Sequence, residues 1–210
     1  TAIKAHQLIL STEDIGINYG IGSTVKHSVY TDMEVEKYAE SLVMEYAEKV
    51  GLDARIIRLG EIIGDGMDFA SRSIYLELIL DAVKGKALKL RKDGLESEWF
   101  VHVLDAAYGI IKAQFSKNTK GQIYSVCYEN TFTHLAIAYK IQEMEEGAQE
   151  IQFVNEKDNL PSIKLYKPAT NLSIIGWMPR IPFEKAVKQS LAAAKIYLLE
   201  KDGKRETSKN

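Results

Sequence analysis

Apolar residues recur along this chain in two alternating rhythms: short unbroken runs, and spacings of three and four. Residues 6–11 contain the run Leu8-Ile-Leu10, which reads as a buried strand. A glycine-rich stretch follows, with Gly16, Gly20 and Gly22. Over residues 33–50, Val35, Ala39, Leu42, Val43, Tyr46, Ala47 and Val50 predict a helix with one apolar face, closed by Gly51 as its C-terminal cap. Residues 54–59 (ARIIRL) predict a second strand, with 60–66 as the loop after it. Strand, helix and strand with short joints are the grammar of a parallel α/β sheet.

The same reading continues to the end. Residues 71–83 predict a helix that stops at Gly85. Residues 87–91 and 99–103 predict strands separated by a turn at Asp93-Gly94. Asp105 is placed to cap a helix reaching Phe115, with Ala107, Ile111 and Phe115 on one face. Residues 122–126 predict a strand, 133–144 a helix and 151–154 a further strand. Past Gly176-Trp177-Met178-Pro179, a last helix runs from Phe183 to Leu198. Residues 201–210 are polar and are expected to form a disordered tail.

Composition narrows the function classes. In 210 residues, 46% are hydrophobic and 27% charged, so disorder, collagen and coiled-coil readings are out. No run approaches the ~18 apolar residues of a membrane span, so no membrane partner is expected. A net charge of −2 gives no general attraction to nucleic acid. The one cysteine, Cys127, cannot form an internal disulfide and suits a reducing, cytoplasmic setting. No signal-peptide pattern opens the chain, and its first residue is Thr1, so a processed product or a piece of a longer protein is expected. No metal site is assigned.

Several segments match one known family in order. Met33-Glu-Val-Glu-Lys37-Tyr-Ala-Glu40 resembles the Tyr-x-x-x-Lys helix of the extended short-chain dehydrogenase/reductases, the NAD-dependent sugar-nucleotide epimerase/dehydratase family. There the lysine shares a helix face with a phenol and lowers its pKa. Met33 stands at the tyrosine position here, with Tyr30 as a substitute if the segment bends it inward. Ser11-Thr12-Glu13-Asp14 ends the first strand, where the 4,6-dehydratases carry Thr-Asp-Glu. Arg58-Leu-Gly-Glu61-Ile-Ile-Gly64 resembles Arg-x-x-Asn-x-x-Gly, with Glu61 for the asparagine. Glu98-Trp99-Phe100-Val-His102-Val-Leu-Asp105 resembles Arg-Asp-Phe-Val-His-Val-x-Asp, with Glu98 for the arginine that meets diphosphate and Arg91 as the nearest other cation. His102 reads as a strand residue of the scaffold rather than as a base. Gly121-Gln-Ile-Tyr124 and Gly176-Trp177-Met178-Pro179 resemble the later core strand and the closing segment.

The resemblance implies an α/β fold: part of a Rossmann-like parallel sheet over residues 1–64 and 100–127, and a small α/β substrate-binding lobe mainly over 65–200. It implies catalytic roles for Thr12, Lys37, Glu13 and Asp14, cofactor contacts from Lys37 and Ser11, and substrate contacts from Glu61, Arg91 and Trp99. NAD or NADP is the implied cofactor and a nucleotide-sugar the implied substrate. The family's opening Gly-x-x-Gly-x-x-Gly turn, which holds the pyrophosphate, has no counterpart, so feeble NAD(H) or NADP(H) binding by this chain alone is expected. A rival reading takes Gly16-Ile-Asn-Tyr-Gly20-Ile-Gly22 as a phosphate loop. Two other functions stay open: a non-catalytic scaffold of the same fold, and a thioester or carboxylate reductase suggested by Arg58-Leu-Gly-Glu-Ile-Ile-Gly64-Asp65. A missing N-terminal segment, a partner or a second copy is expected to cover the sheet, and the resemblance also implies a homodimer through residues 35–50.

Overall fold

The computed structural model describes residues 8–13, 28–71, 73–154 and 172–207, with side chains left out for 8–13, 28–34 and 202–207. Asp14 and the Gly16–Gly22 stretch lie outside the described residues. The chain divides into two compact units. One holds Thr1–Glu61, Leu104–Glu129 and Ile163–Pro179; the other holds Ile62–Val103, Asn130–Ser162 and Arg180–Asn210.

The first unit is built on three parallel strands in the order β1-β2-β7: β1 (Leu8–Glu13), β2 (Ala54–Leu59) and β7 (Ile123–Val126). The central strand has the predicted bounds. Ala54, Ile56, Ile57 and Leu59 are buried, and so is the charged Arg55 between them, as the two faces of a covered parallel strand should be. Helix α1 (Ser28–Lys49) covers one face. Its end follows the sequence signal: Gly51 takes φ +76°, and the Leu52 N–H reaches back to the Tyr46 carbonyl at 3.3 Å. The opposite face takes α3 (Val103–Phe115), whose Gly109 lies against Val126; a Cβ there would meet that side chain at 2.9 Å. The Trp177 indole is buried beside it and donates to the Asp105 carbonyl at 3.1 Å.

Two helix readings need correction. Asp105 is not the cap of α3, because the helix starts at Val103 and Asp105 sits buried in its first turn. The apolar face of α1 is wider than the sheet it meets. Ala47 is buried and Ala39 and Val43 are half-buried, whereas Val35, Leu42, Tyr46 and Val50 face solvent together with Tyr38. On a 3.6-residue turn, Ala47 and Val43 lie to one side of the Val35–Leu42–Tyr46 row, so the sheet reaches only part of the apolar arc.

The second unit packs α2 (Ile74–Val83), α4 (His134–Met144) and α5 (Phe183–Thr207) with short strand pairs. β3 (Glu61–Ile63) pairs with β6 (Phe100–His102), β4 (Leu88–Arg91) runs parallel to β9 (Ile151–Val154), and β5 (Ser97–Glu98) runs antiparallel to β8 (Phe132–Thr133). Ser73 and Thr133 cap α2 and α4 by accepting the Leu76 and Ala136 N–H groups. The expected turn at Asp93-Gly94 is present: Gly94 takes φ +69°, and its N–H bonds the Arg91 carbonyl at 3.0 Å. Phe100 is fully buried between the rings of Tyr75, Phe132 and Phe183, at centroid distances of 5.4, 6.2 and 5.7 Å. Helix α5 runs past Leu198 into the segment expected as a tail and stays helical as far as Thr207. Lys, Glu and Arg are good helix formers, so a helix can continue there without an apolar stripe to announce it.

Candidate functional site

The carboxyl ends of the three parallel strands are where an open α/β sheet offers its chemistry. β1 brings Ser11, Thr12 and Glu13 to that end, and in-register pairing sets them opposite Ile57, Arg58 and Leu59. Arg58 makes the main cross-link of the region. Its Nε donates to Glu40 Oε1 at 2.9 Å and its second guanidinium nitrogen to Oε2 at 2.7 Å. This two-pronged bond is partly buried and ties α1 to β2. Lys37 lies on α1 one turn before Glu40 and is exposed. The bridge thereby keeps the lysine's helix beside the strand whose neighbour carries Thr12.

Met33 and Tyr30 both fall within α1. The regular helix places Met33 one turn from Lys37 and Tyr30 two turns away, about 10.5 Å along the axis. Across β2, Arg55 is buried and bonded to Asp53 at 2.5 Å and Gln114 at 3.4 Å. Tyr124 lies near it; burial raises the phenol's pKa above the ordinary 10.0, and the Arg55 charge opposes that rise.

Glu61 is half-buried and opens β3. The second unit carries the other expected substrate contacts. Arg91 ends β4 and is exposed. Trp99 is half-buried, and its indole N–H finds no acceptor among the described residues. Glu98 Oε1 lies 3.2 Å from His134 Nε2, so the acid that stands where the family has arginine has an imidazole for its neighbour. His102 is fully buried on β6, 2.7 Å from Gln189 Oε1, and Gly64 packs so closely on it that a Cβ would lie 2.8 Å from His102 Nε2. Among the described residues no three His, Cys, Asp or Glu side chains gather as metal ligands, and no helix is long and apolar enough to cross a membrane.

In the sequence Glu40 and Arg58 belong to separate motifs; their bond joins residues 18 apart on different elements. Gln189 and its contact to His102 were not foreseen, and no local spacing could have found a partner 87 positions away. The nearest sequence signal was the family-like order of the motifs themselves.

Parallel strands covered by α1 on one face and α3 on the other define a Rossmann-type α/β fold. Residues 33–127 match the NAD dependent epimerase/dehydratase family, so the resemblance read from the sequence holds across that stretch. UDP-glucuronic acid decarboxylase 3 of Arabidopsis thaliana is 24% identical over 73% of this chain and 44% of its own length. UDP-glucuronic acid decarboxylase 1 of Danio rerio is 23% identical over 75% of this chain and 37% of its own. The chain thus spans less than half the length of these relatives. Among solved structures, UDP-glucose 4-epimerase of Thermotoga maritima with UDP-glucose has a TM-score of 0.76 at 15% identity, over 93% of this chain and 65% of that one. UDP-glucuronic acid 4-epimerase of Bacillus cereus, in complex with UDP-glucuronic acid and NAD, has a TM-score of 0.74 at 16% identity, over 93% and 63%.

Proposed function

We propose that this chain is the C-terminal part of an NAD-dependent enzyme acting on a nucleotide-sugar, of the epimerase, dehydratase or decarboxylase kind. One observation carries the reading: the Arg58–Glu40 bridge holds the Lys37 helix against β2, while Thr12 pairs with Arg58 on the neighbouring strand end. The relatives are UDP-glucuronic acid decarboxylases, which supports the nucleotide-sugar class.

In this reading the Thr12 hydroxyl donates a hydrogen bond to a sugar oxygen, and Glu13 and Asp14 carry protons. Lys37 and Ser11 meet ribose hydroxyls. The family resemblance implies substrate contacts from Arg91 and the Trp99 N–H of the second unit and from Glu61 of the first. NAD supplies hydride transfer when bound, and Lys37 and Ser11 are the residues this reading offers to it. β1 ends at Glu13 and α1 begins at Ser28, β2 leads into β3 and β7 into β8, so no described helix N-terminus directly follows a strand of this sheet to hold a pyrophosphate.

Met33 favours a second reading, a scaffold that kept the fold without the chemistry, since a thioether has no proton to give. The exposed Val35, Tyr38, Leu42 and Tyr46 support a homodimer through α1, and the buried, reduced Cys127 suits the cytoplasm. Calorimetry separates the readings. The enzyme reading expects saturable heat with UDP-glucuronic acid or UDP-glucose, and feeble heat or none with NAD(H) or NADP(H). Silence toward every nucleotide-sugar leaves the scaffold; micromolar affinity for NAD(H) restores the Gly16–Gly22 loop as a phosphate site.

A further inference from the structure

The loop that leaves β3 lies along α5, and side chains of the helix meet the loop residue after residue. Ser190 Oγ accepts the Gly64 N–H at 3.2 Å, and Gln189 Nε2 donates to Asp65 Oδ2 at 3.4 Å. The Ser190 hydroxyl also lies 3.6 Å from Met67 Sδ, and Tyr197 stacks on Phe69 with ring centroids 5.1 Å apart. Loop and helix therefore run side by side toward the end of α5, all within the second unit.

The two ends of this seam differ in depth. At its base Gly64 is jammed against the fully buried His102, and Ser190 also meets the Tyr75 hydroxyl at 2.9 Å. Gln189 is fixed there too: its Oε1 lies 2.7 Å from His102 Nε2, which turns its amide nitrogen toward Asp65. At the tip, Asp65, Gly66, Asp68 and Ala70 are exposed, while Phe69 and Tyr197 are half-buried. Helix α5 is shallow at the same level. Past Lys195, which pairs with Glu145 at 2.8 Å, Ile196 is 59% and Leu199 74% exposed, and Lys201 Nζ sits 5.6 Å from the Tyr197 ring centre. Between base and tip, Gly66 takes φ +77° with open space around it, so the backbone there can swing without a clash. A stack of two half-buried rings is weaker than the buried base, so opening begins at the tip.

We propose that the Gly64–Phe69 loop is a strap latched by Tyr197: it opens about Gly66 when the stack parts, and its opening and the fraying of the end of α5 are one event. Such coupling is reciprocal. A ligand that fastens the loop tightens the helix end, and a partner that draws off the helix end frees the loop. Glu61, just ahead on β3, is the substrate contact the resemblance implies, but the coupling goes beyond the enzymatic reading and needs neither cofactor nor sugar. Two measurements on the 210-residue chain test it. In Tyr197→Ala, chymotrypsin should cleave after Phe69 about five- to tenfold faster, because cleavage tracks the open population. Tyr197→Phe, which keeps the ring, should cleave at the parent rate. Cleavage after Phe132 and Phe183, in the buried aromatic cluster, should not change in either variant. In the other direction, Phe69→Ala should speed amide exchange over residues 197–201 by a similar factor and leave α4 as it was. Circular dichroism should match the parent, since both rings are half-buried; Tyr197→Gln serves if the alanine variant folds poorly. An unchanged rate after Phe69 in Tyr197→Ala, a Tyr197→Phe variant as fast as Tyr197→Ala, unchanged exchange at the end of α5 in Phe69→Ala, or acceleration at every site alike overturns the proposal.

Discussion

The two units use their apolar residues differently. The second closes around Phe100, with Tyr75, Phe132 and Phe183 against it and Ser190 bonding the Gly64 N–H at 3.2 Å and the Tyr75 hydroxyl at 2.9 Å. Among the described residues the first has a sheet of three strands, and α1 and α3 each turn large side chains outward: Val35, Tyr38, Leu42 and Tyr46 on α1, and Leu104, Ile111 and Phe115 on α3. A layer architecture is stable when every apolar face meets another. By that measure the second unit is furnished from its own residues, whereas the described residues of the first leave large apolar side chains uncovered.

Substitutions can break this contrast at different depths. The largest effect should come from Phe100→Ala, which empties the centre of the second unit and should cost about 3–5 kcal/mol, read as a fall in the thermal midpoint and lost near-ultraviolet ellipticity. A near-silent result would mean that the aromatic cluster is not what holds that unit. Glu40→Gln should have a smaller effect, about 1–3 kcal/mol, because it leaves a partly buried guanidinium with one neutral acceptor and no opposite charge. Faster hydrogen exchange in α1, with α2 and α4 unchanged, is the expected signature; uniform acceleration would show that the bridge matters to more than the first unit.

The smallest effect concerns alkaline pH. The Tyr124 phenol has a folded pKa raised by burial, with Arg55 partly offsetting it. A raised folded pKa favours the neutral form in the folded state. This contribution is therefore present below 10.0 and lost as the pH climbs past 10.0 through the folded value. Tyr124→Phe should flatten that alkaline fall and leave stability near pH 7 little changed. A parallel decline in both proteins would place the alkaline limb on other groups.

Local signals account for what could be foreseen. β2 is legible to the residue because Ala54, Ile56, Ile57 and Leu59 cluster between Gly51 and Gly60, and β9 likewise has the bounds its short run suggests. The start of α3 was not, because Val103 and Leu104 continue the apolar strand pattern and only tertiary pairing decides where the chain turns helical. The width of the α1 apolar arc was visible, but the share of it the sheet would cover was not, since that depends on β2 lying beneath one side. At the candidate site, motif order disclosed the neighbourhood of Thr12 and Lys37. The Arg58–Glu40 and His102–Gln189 contacts are long-range matters of packing, which no periodicity encodes.

Helix α5 has a consequence for the order of synthesis. It supplies Phe183, stacked on Phe132 at 3.9 Å, and Ser190, whose hydroxyl serves Gly64 and Tyr75. These partners lie 51 to 126 positions earlier in the chain. On a ribosome, Tyr75 and Phe100 therefore emerge well before the side chains that enclose them. Contacts this distant in sequence also close slowly once available, because loop entropy must be overcome first. The nascent second unit is thus an open apolar surface until its last helix has left the exit tunnel, and that interval is when a chaperone has most to protect.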